Sequence, residues 1–220
     1  MGKFITFEGG EGAGKSTQVR LLANNLQRLG KKVMMTREPG GSPRAESIRK
    51  LLLEGKLAKF GPFAEALLFS IARDDHLETV IRPALKKNNW VICDRFMDST
   101  MAYQGAGGNL PSAVIKGLEH TVVGATRPDF TILIDLPPAV GMNRARIRLQ
   151  QTTGGTADRF ESMDMKFHER LREAFLEIAK NDPERCMIFN GEQPPDELAK
   201  QIWTTLVERC SLAPKVASKA

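Results

Sequence analysis

The feature that most restricts the possible folds of this chain lies at residues 9–16, which read GGEGAGKS. They match the pattern GxxxxGKS, follow an apolar run typical of a buried strand (KFITF) and precede a segment with helical spacing of apolar residues. Glycines let the backbone curl so that successive N–H groups point inward, and the positive end of the helix that follows favours an anion. The sequence therefore predicts a phosphate-binding loop between the first strand and the first helix.

Two side chains of this loop can contact a nucleotide directly. The ammonium group of Lys15 can reach the β and γ phosphates of ATP, and the hydroxyl of Ser16 can ligate a Mg²⁺ ion that bridges phosphate oxygens. The pattern alone does not distinguish kinases from ATPases, GTPases or regulatory nucleotide binders, because all of them use this loop. The predicted ATP-binding residues are Gly9, Gly10, Glu11, Gly12, Ala13, Gly14, Lys15, Ser16 and Thr17.

Short apolar runs alternate with longer helical segments along the rest of the chain, which is typical of a parallel sheet covered by helices on both faces. We predict an α/β fold with five parallel strands, at 3–7, 32–36, 90–93, 130–135 and 186–190. Helices are predicted at 15–29, 112–122, 138–148, 163–180 and 196–210, and at 62–87 with a kink or a new helix at Pro83. One domain over 1–210 is expected, with a loop at 150–157 inside a lid of about 144–160 and a flexible tail at 211–220.

The formal charge is +6 and the pI is about 9.3, which fits either a polynucleotide binder or an enzyme for small polyanions. The arginines recur singly instead of forming one basic block with interleaved aromatic residues. We therefore favour small anionic substrates over nucleic acid.

The N-terminal residues contain no long apolar run, so we expect no secretory signal and no membrane segment, and hence a cytoplasmic protein. Cys93, Cys186 and Cys210 are far apart and lack CxxC spacing. They are interpreted as buried or incidental thiols, because neither a disulfide framework nor a zinc site fits this spacing.

Charged side chains follow the predicted strand ends. The second strand leads into Arg37 and Glu38, and the third leads into Asp94 and Arg95. Ligands of open α/β sheets bind at the edge where the carboxyl ends of the strands lie. A nucleotide kinase must hold two polyanions head to head, which requires cations on both sides of the transferred group. Asp94 is also placed to accept Mg²⁺ or its water.

An arginine-bearing lid is predicted after the fourth strand. Arg144 and Arg148 share one helix face, and Arg159 follows the loop. No catalytic base is expected, because an acceptor phosphate has its second pKa near 6 and is already largely a dianion at neutral pH. The three histidines, His76, His120 and His168, are therefore interpreted as surface or structural residues.

With these residues assembled, the chain resembles thymidylate kinases over nearly its whole length. The resemblance runs from FEGGEGAGKST through TREPGG, DRFMDSTMAYQGAG and DRFE to the C-terminal helix. TREPGG and DR followed by STMAYQG are more specific than the phosphate loop, since together they describe the monophosphate site of that family. The resemblance implies phosphoryl transfer from ATP to dTMP with Mg²⁺, which gives dTDP for dTTP synthesis, and a homodimer.

The resemblance also implies roles for residues on the acceptor side. Arg37 and Arg95 are similar to the ligands of the acceptor phosphate, and Glu38 lies near the sugar and the Mg²⁺ site. Tyr103 is similar to the ring that excludes a ribose 2′-OH, and Ser99 lines the same pocket.

The base of the acceptor has its own predicted ligands. Phe69 resembles the ring that stacks on thymine, Arg73 the donor to thymine O4, and Gln104 the amide that meets N3–H. Cytosine carries an amino group where thymine has O4, so Arg73 would discriminate against it. Phe69 has an alternative interpretation as a core residue, because it lies in an apolar helix.

The lid is where the resemblance separates two subclasses. Glu11 and Ala13 stand in the loop where one subclass has an arginine, so the chain resembles the bacterial type, in which lid arginines act on the transition state. The predicted catalytic residues are thus Lys15, Arg95, Arg144, Arg148 and Arg159, with Arg146 a weaker candidate. Residues 190–195 resemble the loop beside the adenine of ATP.

Other functions remain possible at this point. A kinase for a different monophosphate or for a deoxynucleoside would share the fold and the loop, although Arg73 with Gln104 argues against it. A nucleotide-dependent regulator or motor would need switch segments, and a polynucleotide binder would need a continuous basic stripe. Neither feature is evident in the sequence.

Overall fold

The central feature of the computed structural model is a parallel sheet of five strands; the structure describes residues 1–55, 58–151 and 159–212. The strand order is β2-β3-β1-β4-β5, with β1 in the middle. The strands are β1 (Phe4–Glu8), β2 (Val33–Arg37), β3 (Trp90–Asp94), β4 (Phe130–Asp135) and β5 (Cys186–Asn190). The predicted fold class is confirmed, and each strand lies within one residue of its predicted bounds.

Helices connect these strands and cover both faces of the sheet. They are α1 (Lys15–Arg28), α2 (Pro43–Leu53), α3 (Gly61–His76), α4 (Arg82–Lys86), α5 (Met97–Thr100), α6 (Ser112–Val122), α7 (Pro138–Gln151), α8 (Met165–Asn181) and α9 (Pro195–Cys210). A π-helical turn, Leu77–Ile81, joins α3 to α4, and a second, Met101–Gly107, continues α5. Within the described ranges, no helix is long and apolar enough to cross a bilayer.

The break predicted at Pro83 is confirmed. Pro83 has no N–H to donate, and it is the second residue of α4, directly after the π-helical turn. The regular i to i−4 ladder is already interrupted there, so the missing donor costs less than it would inside a regular helix.

Two helical segments were not predicted. Helix α2 begins after Ser42, whose hydroxyl accepts from the Ala45 N–H at 3.3 Å, and Pro43 occupies its first position. That pairing is a recognisable helix start. The segment α5 with its π-helical turn covers the STMAYQG motif, for which the sequence predicts only a binding role.

The predicted loop at 150–157 needs a correction at its first residues. Gln150 and Gln151 still belong to α7, whose helical hydrogen bonds continue to that point, and residues 152–158 lie outside the described ranges.

The predicted tail begins with Ser211, and the Leu212 N–H bonds to the carbonyl oxygen of Val207 at 3.0 Å. Residues 213–220 are outside the described part of the chain.

Strand β1 is buried along its whole length because it has a neighbour on each side and helices on both faces. One core cluster lies between the sheet and helices α1 and α9, and includes the predicted apolar face of α1: Val19, Leu22, Ala23 and Leu26. This burial of the α1 face fixes where its first residue, Lys15, and the loop before it lie.

The register brings the carboxyl ends of three strands together. Phe7 pairs with Asp94, and Asp94 in turn pairs with Arg37 on β2. The loop after β1, the segment after β3 and the segment after β2 therefore meet at one edge of the sheet. This is the edge at which the sequence predicts the ligands to bind.

The loop after β1 also touches helix α7. Gly12 has φ +67°, and a Cβ added to it would lie 2.0 Å from the carbonyl oxygen of Gly141. A Cβ on Gly141 would lie 2.2 Å from the carbonyl oxygen of Glu11. Both backbones can come this close because neither residue carries a side chain, so the helix that bears Arg148 is held directly against the loop.

Candidate active site

A cavity of about 450 Å³ opens at the carboxyl edge of the sheet, between the loop after β1, helix α3 and the segment after β3. Its wall contains every predicted acceptor-side residue: Arg37, Glu38, Phe69, Arg73, Arg95, Ser99, Tyr103 and Gln104. It also contains the loop residues Glu11, Gly12, Ala13, Gly14, Lys15, Ser16 and Thr17. The structure thus brings the two predicted binding regions together on one cavity.

Lys15 lies within the curl of the loop. Its Nζ donates to the carbonyl oxygens of Gly9 at 3.0 Å and Gly10 at 2.8 Å. Burial, followed by the nearby charge of Arg95, lowers the pKa of Lys15 to about 8, although Glu11 and other carboxylates oppose the shift. The loop can curl this way because Gly9, Gly12 and Gly14 all take positive φ.

Ser16 and Asp94 meet at the mouth of the loop. The Ser16 hydroxyl donates to Asp94 Oδ2 at 2.6 Å. A hydroxyl and one carboxylate, both oxygen ligands, are the protein donors expected where Mg²⁺ is held mainly by phosphate and water oxygens. The donor set therefore fits the predicted ion.

Arg95 links the two sides of the cavity. It takes a left-handed backbone conformation with φ +68°, which is uncommon for a residue with a Cβ. Its guanidinium donates to Gly9 O at 3.0 Å and to Glu11 Oε1 at 2.7 Å, and it lies 5.0 Å over the ring of Tyr103. The Tyr103 hydroxyl donates to the same Glu11 oxygen at 2.5 Å.

Glu11 is strongly ionised in this setting. Burial alone would raise the pKa of Glu11, but the charges of Arg95 and then Lys15 outweigh burial and lower it to about 2. A carboxyl that is more acidic in the folded than in the unfolded chain stabilises the fold above its unfolded pKa. That contribution is lost as the pH falls toward the folded pKa.

The side of the cavity where the thymine base is predicted to bind is built around Arg73. Its Nε donates to Glu38 Oε2 at 2.8 Å, its Nη2 donates to Thr100 Oγ1 at 3.0 Å, and the guanidinium lies 5.1 Å over the ring of Phe96. The Glu38 carboxylate, expected near the sugar and the metal, is directed at Arg73 and at His76, whose Nδ1 is 3.0 Å away. Glu38 still contributes to the cavity wall.

Aromatic rings complete this side. Tyr103 packs edge-on against Phe160 and Phe167, with ring centroids 5.2 and 6.1 Å apart. Phe69 lines the cavity and also packs on the neighbouring apolar cluster. The stacking and core interpretations of Phe69 are therefore compatible with each other. Gln104 is almost fully buried at the same wall.

The predicted lid arginines lie in three different places. Arg148 is on the cavity wall and donates to Glu161 at 2.5 Å. Arg144 donates instead to the carbonyl oxygen of Gly191 at 2.9 Å, beside the predicted adenine loop, and Arg159 pairs with Glu65. Within the described part of the lid, Arg148 is thus the arginine that the structure brings to the cavity.

Several cavity residues were missed by sequence reasoning. Arg20 and Arg49 add cations to the wall, and Arg49 lies on the unpredicted helix α2 and donates to Pro39 O at 2.6 Å. Arg20 comes four residues after Ser16, and Arg49 comes seven residues after Ser42. These helical spacings were the available signal.

Glu8 supports the wall from behind. Its carboxylate, 1% exposed, accepts from the Phe96 N–H at 2.8 Å and from the Ser99 hydroxyl at 2.6 Å. Burial and the nearby Asp98 raise the pKa of Glu8 above its ordinary value. A carboxylate at the end of an otherwise apolar strand was the signal in the sequence.

A second buried ion pair anchors the segment after β3. Arg185 donates to the two oxygens of Asp98 at 2.6 and 3.0 Å, and also to the Thr131 hydroxyl on β4 at 2.6 Å. This pair ties α5, which carries Ser99 and leads into Tyr103 and Gln104, to the far side of the sheet.

Known proteins of one family resemble this chain over nearly its whole length. The thymidylate kinase family model matches residues 7–202. A thymidylate kinase of Bradyrhizobium diazoefficiens is 48% identical over 217 residues, which cover 99% of this chain and 93% of the relative. One from Caulobacter vibrioides is 50% identical over 211 residues, 96% of this chain and 99% of the relative.

The chain belongs to the thymidylate kinase family.

A solved structure supports the same assignment. The crystal structure of thymidylate kinase from Ehrlichia chaffeensis aligns with a TM-score of 0.74 and 34% identity, over 93% of this chain and 98% of that one. Family membership confirms the predicted enzyme class, an ATP-dependent nucleoside monophosphate kinase. The roles of individual residues stay predictions.

The charge of Glu11 gives a stability prediction. Glu11→Gln should be less stable to urea than the unchanged chain at about pH 6, by on the order of 3 kcal/mol, because a shift of one pKa unit corresponds to about 1.4 kcal/mol. The difference should shrink as the pH falls through about 4.5 toward about 3, because Glu11 becomes protonated in the unfolded chain over this range while it is still largely ionised in the folded chain.

Glu169→Gln, at an exposed position on α8, is the matched control and should change stability by less than about 0.5 kcal/mol at both pH values. If Glu11→Gln loses the same free energy of unfolding at about pH 6 and at about pH 3, Glu11 does not titrate as described.

Proposed function

We propose that this cavity is where the chain transfers the γ-phosphoryl group of ATP to dTMP, giving ADP and dTDP. The observation that carries the proposal is that loop residues 11–17 and all eight predicted acceptor residues line one cavity, while the predicted loop residues Gly9 and Gly10 lie behind it. Phosphoryl transfer has little covalent chemistry for the protein to perform, so catalysis rests on positioning and on charge stabilisation.

The donor nucleotide occupies the loop at residues 9–16. The inward N–H groups of the loop and the N-terminus of α1 accept the phosphates, and Lys15 moves from its carbonyl partners to the β and γ phosphates. Ser16 and Asp94 would hold Mg²⁺, which would neutralise charge on the phosphate oxygens when bound. The Mg²⁺ assignment is supported by this donor set.

The acceptor phosphate lies on the opposite side. Arg37 and Arg95 bind it, and Arg95 reaches it from a position already in contact with the loop carbonyl of Gly9. The acceptor oxygen is largely deprotonated at neutral pH, so no side chain has to remove a proton before attack. The two arginines offset the repulsion between donor and acceptor phosphates.

The base and sugar of dTMP occupy the inner end of the cavity. Phe69 stacks on thymine, Arg73 donates to O4 and Gln104 meets N3–H, while Tyr103 with Ser99 lines the sugar side. Tyr103 is held in place by its bond to Glu11, so a ribose 2′-OH would meet a ring that has little room to move.

Charge that develops in the transition state is stabilised by Lys15, Arg95 and Arg148. Arg148 is the lid arginine favoured for this role because it lies on the cavity wall. Arg144 and Arg159 remain candidates only if the lid rearranges, since their observed partners lie elsewhere.

A homodimer is proposed from family resemblance and from an apolar surface. On α3, Phe63 and Ile71 are 51% and 55% exposed, and Leu51 on the adjacent α2 is 42% exposed. Apolar side chains grouped on neighbouring helices are typical of a protein interface.

The three thiols, Cys93, Cys186 and Cys210, are unbridged, which fits the proposed cytoplasmic location. Cell fractionation checks this location.

Sedimentation equilibrium tests the dimer. The chain should sediment at twice its mass of 24.4 kDa, and Ile71→Glu should give the single mass, because a charge on this surface would have to be desolvated in the interface. Ile188→Glu, at a similarly exposed position on β5, is the control and should stay dimeric. A single mass for the unchanged chain would rule out the homodimer.

A panel of monophosphates tests the activity. With ATP and Mg²⁺, ADP formation should be fastest with dTMP, slower with dUMP and low with AMP, GMP and CMP, because the predicted contacts match thymine. Faster turnover of any of those last three would contradict dTMP specificity.

Lys15→Ala should abolish transfer to every acceptor, whereas Lys166→Ala, on the exposed face of α8, should not.

Arg148→Ala tests the lid. It should lower kcat by at least about a hundredfold and change ATP affinity by less than about threefold, because the arginine acts on transition-state charge. Arg170→Ala, at an exposed position on α8 away from the cavity wall, is the control and should stay near the unchanged rate. An effect of Arg148→Ala on affinity alone would remove Arg148 from catalysis.

A further inference from the structure

A series of hydrogen bonds runs from strand β2 to the base side of the cavity, and His76 is in its middle. His76 is the last residue of α3, and its ring is 0% exposed. Its Nε2 lies 2.7 Å from Thr36 Oγ1, and its Nδ1 lies 3.0 Å from Glu38 Oε1. No histidine takes part in the proposed phosphoryl transfer, so that proposal does not account for these contacts.

Glu38 connects His76 to Arg73. One carboxylate oxygen faces His76 Nδ1, and the other accepts from Arg73 Nε at 2.8 Å; both the Arg73 and the Glu38 side chains are nearly fully buried. A carboxylate held through one oxygen can turn about its last torsion, which is broad for glutamate. Held through both oxygens, it presents a fixed acceptor to Arg73.

The far end of Arg73 is held independently. Its Nη2 donates to Thr100 Oγ1 at 3.0 Å, and the ring of Phe96 lies 5.1 Å below the guanidinium. Glu38 therefore supplies the anchor at Nε, and Thr100 with Phe96 supplies the anchor at the tip. Loss of either anchor would leave the planar guanidinium free to tilt in the cavity wall.

The backbone after β2 encloses the His76 contact. A Cβ on Gly41 would lie 2.3 Å from His76 Nε2 and 2.5 Å from Thr36 Oγ1. The ring thus has backbone directly against it, and its orientation is set by three elements: β2, α3 and the segment between β2 and α2.

We infer that His76 is a positioning residue for acceptor specificity: by holding the second oxygen of Glu38, it keeps the Arg73 guanidinium where it meets the acceptor base. The inference rests on the proposed function, because it takes Arg73 to be a ligand of that base.

Two amides at position 76 separate positioning from packing. The side-chain nitrogen of Asn can stand near the place of Nδ1, and that of Gln near the place of Nε2. His76→Asn therefore keeps a donor to Glu38, whereas His76→Gln keeps the reach toward Thr36 and loses Glu38.

Steady-state kinetics should show the difference. His76→Gln should raise KM for dTMP about tenfold, as expected for one lost hydrogen bond to a charged group, and lower the preference for dTMP over dCMP by a similar factor. KM for ATP and kcat should stay within about threefold. His76→Asn should lie closer to the unchanged chain, and His120→Gln, at an exposed position, should match it.

A measurement without substrate separates this inference from the proposed function. The Nε–Hε NMR signal of Arg73, assigned by its absence in Arg73→Lys, should shift or broaden in His76→Gln and persist in His76→Asn. If His76→Gln does not fold, Thr36→Val is the second variant, since it removes the hydroxyl that orients the ring while keeping the branched shape; it should shift the same signal.

The outcomes that overturn the inference are distinct. An Arg73 signal unchanged in both His76→Gln and Thr36→Val, an equal rise of both Michaelis constants, or a defect in His76→Asn as large as that in His76→Gln would each contradict it. A chain with a normal Arg73 response that does not phosphorylate dTMP would instead contradict the proposed function.

Discussion

The ion pair between Arg95 and Glu11 is the interaction on which the cavity depends, because it joins the loop after β1 to the segment after β3. Arg95 also bonds to the carbonyl oxygen of Gly9, and Tyr103 bonds to the same carboxylate. The loop after β1 and the segment after β3 are thereby fixed relative to each other. In phosphoryl transfer this matters, because the distance and direction between the two phosphates determine the rate.

The other buried charges at the cavity are also compensated: each one described has an opposite charge or several dipoles beside it. Arg73 is paired with Glu38, and Asp98 behind the wall is paired with Arg185. Lys15 has two carbonyl partners and nearby carboxylates, although burial still lowers its pKa to about 8. Replacing both members of a buried ion pair by apolar residues is often neutral, since desolvation offsets their attraction, whereas removing one member leaves an unpaired buried charge and destabilises the fold. The value of these ion pairs here is preorganisation: cations are held in place without reorganising during the reaction.

Much of the fold and part of the site could be predicted from sequence because the signals are local. The loop pattern, the apolar strands and the charges at strand ends are all read within a few residues. What was missed depends on pairs far apart in the chain, such as Glu8 with Ser99 and Glu38 with His76. Helix α2 is different, since its Ser42–Pro43 start is a local signal in the sequence.

The lid shows the same limit of prediction from local sequence signals. Spacing placed Arg144 and Arg148 on one helix face, but it could not tell which of them faces the cavity. That choice depends on their partners Gly191 and Glu161, which come much later in the chain.

A crystal structure of the chain with ADP and dTMP tests the central claim most directly, which is that one cavity holds both substrates with their phosphates facing. We expect the β-phosphate of ADP within residues 9–16, the dTMP phosphate between Arg37 and Arg95, and the thymine edge at Arg73 and Gln104. A dTMP molecule bound with its phosphate away from both arginines, or outside this cavity, would contradict the claim.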